Sequence, residues 1–105
     1  MRVLIIEDDR EVAEYLKRGL NEFGTVVDHV DNGPDGLALA GDAVYDALVV
    51  DRMLPGLDGL EVIRRLRGAG VTTPVLILSA LSHVDERIRG LKAGGDDYLP
   101  KPYVL

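Results

Sequence analysis

Short, unbroken apolar runs separated by helical patterns constrain this chain most. Val3-Leu4-Ile5-Ile6 and Val75-Leu76-Ile77-Leu78 hold four residues each without a polar member. Five segments read as strands, at residues 3–7, 25–30, 47–51, 75–78 and, more weakly, 97–100. Three of them are continuously apolar, which suits strands covered on both faces. Helical patterns fill the gaps. Val12, Leu16, Leu20 and Phe23 recur at spacings of four, four and three, one stripe of a helix that ends near Gly24. Gly33-Pro34 opens a second helix, which Gly41 closes. Asp58-Gly-Leu-Glu61 predicts a capping box at the head of a third, with Ile63 and Leu66 inward and a stop near Gly68. Val84, Ile88 and Leu91 stripe a fourth, ended by Gly94-Gly95.

Four strand-helix repeats and a fifth strand predict an α/β fold, a doubly wound five-stranded parallel sheet with right-handed crossovers. At 105 residues the chain has room for one domain, spanning 1–105. Only Lys101 to Leu105 follow the fifth strand, so the last helix is missing from the pattern.

Composition removes several function classes. Eighteen Asp and Glu against twelve Lys and Arg give a net charge of −6, which disfavours general electrostatic grip on nucleic acid or an anionic membrane. With no cysteine there is no disulfide framework, thiolate zinc site or cysteine nucleophile. Apolar runs of four are far too short for a membrane span or the apolar region of a signal peptide. The expectation is a soluble cytoplasmic domain.

In a sheet of this kind ligands bind outside the carboxyl ends of the strands, at the switch in strand order. The first strand runs into Glu7-Asp8-Asp9, the third ends in Asp51, the fourth leads to Ser79 and the fifth runs into Lys101-Pro102. Carboxylates brought together at one edge repel and must take up a proton or recruit a cation. Oxygen donors without cysteine or histidine select a hard ion, Mg²⁺ or Mn²⁺ in its place. Asp8 and Asp51 suit direct ligation, with Glu7 acting through water. Asp9 reads instead as the cap of the first helix or as support for its neighbours.

A carboxylate, a hard metal, a lysine and a small hydroxyl together make a phosphoryl-transfer site. The metal and Lys101 neutralise the equatorial oxygens while an aspartate oxygen attacks in line. Asp51 is the preferred nucleophile, because the loop 52–59 after it turns sharply at Pro55-Gly56 and leaves its side chain accessible.

The chain closely resembles the receiver domain of bacterial response regulators, especially the class attached to OmpR/PhoB-type winged-helix DNA-binding domains. The resemblance rests on Val3-Leu-Ile-Ile-Glu-Asp-Asp9, Leu48-Val-Val-Asp-Arg-Met-Leu-Pro-Gly-Leu-Asp-Gly59, Val75-Leu-Ile-Leu-Ser-Ala80 and Gly90-Leu-Lys-Ala-Gly-Gly-Asp-Asp-Tyr-Leu-Pro-Lys-Pro102. These four blocks stand in the family's order, and the resemblance covers the whole chain. The resemblance implies the flavodoxin-like strand order 2-1-3-4-5. It also implies that Asp51 accepts phosphate from a phosphohistidine on a sensor histidine kinase. Glu7 and Asp8 would hold Mg²⁺ with help from the Met53 backbone carbonyl, Lys101 would pair with the phosphate and Ser79 would hydrogen-bond it after transfer. Tyr98 would be an aromatic switch that turns inward as Ser79 moves, and the Lys101-Pro102 peptide would be cis. The output would be transcription, reached through a DNA-binding domain outside this segment. A homodimer through the face of helix four and strand five is implied too. Because a fifth helix normally follows the Lys-Pro turn, the chain reads as a receiver truncated before it, leaving apolar surface beside the fifth strand.

Two other functions compete. A phosphatase working through an aspartyl phosphate usually carries a second acid two residues after the nucleophile, where this chain has Met53. A flavin- or dinucleotide-binding module would need Gly-x-Gly-x-x-Gly after the first strand, where acids stand instead. Met53 and Leu81, each two residues beyond Asp51 and Ser79, cannot orient a water by hydrogen bonding, which predicts slow self-dephosphorylation. Arg64, Arg65 and Arg67 read as the wet side of the third helix, Asp96, Asp97 and Arg87 as solvated charges, and the lone His29 and His83 receive no role.

Overall fold

The computed structural model describes residues 1–42, 44–79, 94, 95 and 97–100, the last four by their place in the sheet. The predicted fourth helix, with Arg87 and His83, lies outside the described residues, as do Leu81, Asp96 and Lys101 with its proline.

The elements run β1 (Arg2–Ile6), α1 (Arg10–Asn21), β2 (Val26–Val30), α2 (Gly33–Ala40), β3 (Ala47–Asp51), α3 (Gly59–Gly68), β4 (Val75–Ser79) and β5 (Asp97–Pro100). The five strands form one parallel sheet, as the sequence pattern predicts, in the order β2-β1-β3-β4-β5 that the family resemblance implies. The chain leaves β1 towards β2 and then returns across β1 to β3. The switch point therefore falls between the carboxyl ends of β1 and β3.

Strand alternation divides the core between two faces. Leu4, Ile6, Leu48, Val50, Val75 and Ile77 join Leu60, Ile63 and Leu66 of α3 and Ala40 of α2 in one cluster. Val3, Ile5, Val49 and Leu78 turn the other way, onto Leu16 of α1. Removing one such side chain from water contributes about 1.5–3 kcal/mol, so the three central strands are covered on both sides because their sequence is apolar on both sides.

The helix ends follow local chemistry. Asp9 caps α1, its Oδ1 accepting from the backbone N–H of Glu11 at 3.0 Å and of Val12 at 3.3 Å. Asn32 caps α2 by accepting from Asp35 N–H at 2.9 Å, with Pro34 in the first turn. Two expectations about side-chain exposure fail. Phe23 is 85% exposed rather than inward, because α1 stops at Asn21 and the turn beyond it breaks the helical period. Arg67 does not share the wet face of Arg64 and Arg65. Its Nε donates to the Gly94 carbonyl at 3.0 Å, and Nη1 to the carbonyls of Val71 and Thr73 at 3.0 and 2.8 Å. A guanidinium at the end of α3 reaches three backbone oxygens, whereas Arg64 and Arg65 pair with Glu61 in solvent.

Candidate metal centre

Three strand tips meet at the carboxyl edge. Glu7 follows β1 and is fully buried, Asp51 closes β3 at 5% exposure and Ser79 closes β4 at 1%. Asp8, one step beyond Glu7, is exposed. One carboxylate oxygen from each of Glu7, Asp8 and Asp51 lies within 4.8 Å of the others. Two unit charges at about that distance repel by roughly 3 kcal/mol at an effective dielectric of ~20. Two buried carboxylates and an exposed one at this spacing call for a cation. The donors are all oxygen, which suits a hard divalent ion, and Mg–O bonds of about 2.1 Å set opposite ligands ~4.2 Å apart. The cluster spans little more than one such ion, and the residues fit Mg²⁺.

Backbone ties hold the acids in place. The Glu7 N–H donates to the Val30 carbonyl at 3.0 Å, and the Glu7 carbonyl accepts from His29 Nε2 at 2.8 Å. Because the acceptor is a carbonyl, Nε2 carries the hydrogen. His29, a lone histidine in the sequence, therefore pins the backbone of a site acid from β2. No local pattern announces a bond between residues 22 apart. Asp51 Oδ1 accepts from the Met53 N–H at 3.3 Å.

The loop after Asp51 turns at Gly56, whose φ of +81° requires glycine after Pro55. Its base closes through Gly59 N–H to the Arg52 carbonyl at 3.2 Å, and a Cβ on Gly59 would collide with the Asp51 carbonyl. Its far side rests on α2, with Gly33 N–H donating to the Pro55 carbonyl at 3.1 Å.

Asp58 overturns the predicted capping box. It occupies the cap position of α3, yet its side chain makes no capping bond. Both its oxygens instead accept from Nη1 of Arg52 at 2.8 Å. The pair closes the loop across six residues, and opposite charges flanking a Pro-Gly turn were the available signal for it.

The structure thus gathers Glu7, Asp8 and Asp51 and sets Ser79 at the tip of the adjacent strand. Met53, 65% exposed, lines a 480 Å³ cavity with Asp8, Arg52, Leu54, Pro55 and Asp58. Tyr98 stands on the β5 rung opposite Ile77, and Pro100 opposite Ser79. Among the described residues no helix is long and apolar enough to cross a membrane.

Residues 3–105 match the response regulator receiver domain. The chain is 52% identical over 105 residues to the probable transcriptional regulatory protein SilR of Salmonella typhimurium, covering 100% of this chain and 46% of that protein. It therefore spans about half the length of the curated relatives it matches. Among solved structures, the receiver domain of the Francisella response regulator 1452 superposes with a TM-score of 0.94 at 40% identity, over 98% of this chain and 85% of that one. The receiver domain of the sensor histidine kinase PA1611 from Pseudomonas aeruginosa, with a magnesium ion coordinated in its active-site cleft, gives 0.88 at 31% identity over 98% and 86%. With its sheet order, its acidic edge and a family match running almost end to end, the chain belongs to the response regulator receiver domains.

Proposed function

We propose that Asp51 is the phosphoacceptor of this receiver and that a sensor histidine kinase is its donor. The observation that carries this reading is the convergence of Glu7, Asp8 and Asp51 within 4.8 Å, with the buried Ser79 at the next strand tip. A carboxylate oxygen of Asp51 attacks the phosphorus of a phosphohistidine. The P–N bond breaks as the new P–O bond forms, and the imidazole leaves with a proton in place of the phosphoryl group. Mg²⁺, or Mn²⁺ in its place, supplies positive charge to the phosphoryl oxygens when bound. Asp8, Asp51 and the Met53 carbonyl would hold the ion directly and Glu7 through water, the Ser79 hydroxyl would hydrogen-bond a phosphoryl oxygen, and Lys101 would pair with the charge. The magnesium-bearing cleft of PA1611 supports the ion assignment.

Asp51 acts as an acceptor rather than as a turnover catalyst. The thioether of Met53 stands where a phosphatase for external substrates needs an acid. The signal passes to β5: Ser79 and Tyr98 belong to hydrogen-bonded neighbours, so movement at the β4 tip shifts the strand that carries the aromatic switch. The face that carries β5 then presents the output, to a second copy or to a DNA-binding domain of the kind that serves transcription control.

Intact-mass measurement after treatment with acetyl phosphate and Mg²⁺ tests this directly. One phosphoryl group should be added, chelation of Mg²⁺ should prevent it, and Asp51→Asn should abolish it. Full stoichiometric labelling of Asp51→Asn would overturn the assignment.

A further inference from the structure

The geometry points to Arg52 as a positioning residue for the metal, acting through Asp58 on the loop that carries Met53. This inference rests on the acidic site proposed above and extends it to a residue outside the ligand set. Arg52 is tied at every level. Its N–H donates to the Leu78 carbonyl at 2.8 Å, its carbonyl accepts from Gly59, and its side chain, only 16% exposed, grips both oxygens of Asp58. These ties join the first and last residues of the turn, so the segment 53–58 between them is closed at both backbone and side-chain level. That segment forms a wall of the 480 Å³ cavity that Asp8 also lines. The Asp58 carboxylate gives up the helix cap to make this pair, which places its contribution in the loop rather than in α3.

A rival account needs no positioning: Arg52 and Asp58 act only by their charges on a nearby cation. The two accounts differ in sign. Removing a positive charge beside an acidic site strengthens cation binding, and removing a negative one weakens it. A purely electrostatic role therefore drives Arg52→Ala and Asp58→Ala in opposite directions. A positioning role drives both towards weaker binding, since either deletion releases the same loop.

The measurement is calorimetric titration of Mg²⁺ into the unphosphorylated chain, with thermal melts to establish that each variant is folded. Both variants should weaken Mg²⁺ binding by roughly tenfold, the low end of what losing a supporting partner costs a metal site. The Mg²⁺ needed for half-maximal acetyl phosphate labelling should rise in parallel, while the rate at saturating Mg²⁺ stays within about twofold, the pattern of lost binding rather than lost chemistry. Opposite signs in the two variants, or unchanged affinity in both, would overturn the inference and leave the acidic site standing. Absence of Mg²⁺ binding by the unaltered chain would sink both readings.

Discussion

Met53 faces solvent beside Asp51, and its backbone N–H donates to Oδ1 of that carboxylate. A thioether is a weak acceptor and no donor, so it cannot hold a water in line with an acyl phosphate. An amide at the same place can. Met53→Asn combined with Leu81→Glu should shorten the phosphoryl lifetime by roughly tenfold, short of the ~100-fold at which full general-base catalysis begins. Following the decay of the labelled mass after removal of donor measures it, and an unchanged lifetime refutes the role of these two positions. At the same scale, Asp58 shows how a side chain divides between neighbours. A capping aspartate is worth about 1 kcal/mol and an exposed ion pair about 0.2–1 kcal/mol. The two are close enough that the Arg52 guanidinium, only 16% exposed and with Nη1 set between both Asp58 oxygens, decides the outcome.

Elements are legible in the sequence where the signal is local and not where it crosses the fold. Apolar runs mark the strands because a central parallel strand has no wet face, and the acids at their tips mark the site because carboxylates converging on one edge repel unless a cation joins them. Phe23 continues the α1 stripe in sequence but not in space, since periodicity does not say where the helix stops. Arg67 reads as a third exposed arginine because its acceptors, at Val71, Thr73 and Gly94, are assembled only by the tertiary structure. The role of His29 is hidden for the same reason. Another cross-strand group makes a prediction. The Tyr45 hydroxyl, just before β3, donates to Asp28 of β2 at 2.7 Å, and Arg2 of β1 donates to the same oxygen from Nη2 at 3.0 Å while lying 5.7 Å from the Tyr45 ring centre. The Tyr45 hydroxyl, then Arg2, hold the Asp28 carboxyl below its usual range, against the opposing effect of burial. Burial first, and then Asp28, push the Tyr45 phenol up to about 12. The signs follow from linkage. Asp28 contributes stability above the ordinary carboxylate range, lost as pH falls through its lowered value. Tyr45 contributes stability in full below pH ~10 that is lost as pH rises towards 12. Chemical denaturation between pH 9 and 12 should show that loss, and Tyr45→Phe should flatten it. A slope unchanged by the substitution would remove Tyr45 from the account.

For the whole molecule, the acidic edge sets function against stability. Folding brings Glu7, Asp8 and Asp51 together, although they are scattered over 45 positions of the sequence, in a chain whose net charge is already −6. The unfolded chain feels little of that repulsion, so without a cation the site opposes folding. A cation that binds only where the three oxygens converge reverses the balance by mass action, adding about 2.7 kcal/mol at a hundredfold excess over its dissociation constant. In a domain of this size each kcal/mol moves Tm by roughly 4–8 °C. The order of stabilities should therefore cross. In chelator, Asp51→Asn should melt above the unaltered chain, because it loses a repelling charge at nearly constant shape. In saturating Mg²⁺ the unaltered chain should melt higher, because an amide in place of the Asp51 carboxylate leaves the ion with two acids instead of three. Raising NaCl in the presence of chelator should narrow the first gap through screening, without producing the second. Differential scanning calorimetry of both chains under the three conditions reads this out. If Asp51→Asn melts below the unaltered chain in chelator, or gains as much from Mg²⁺, then the carboxylate of Asp51 neither strains the acidic edge nor holds the ion.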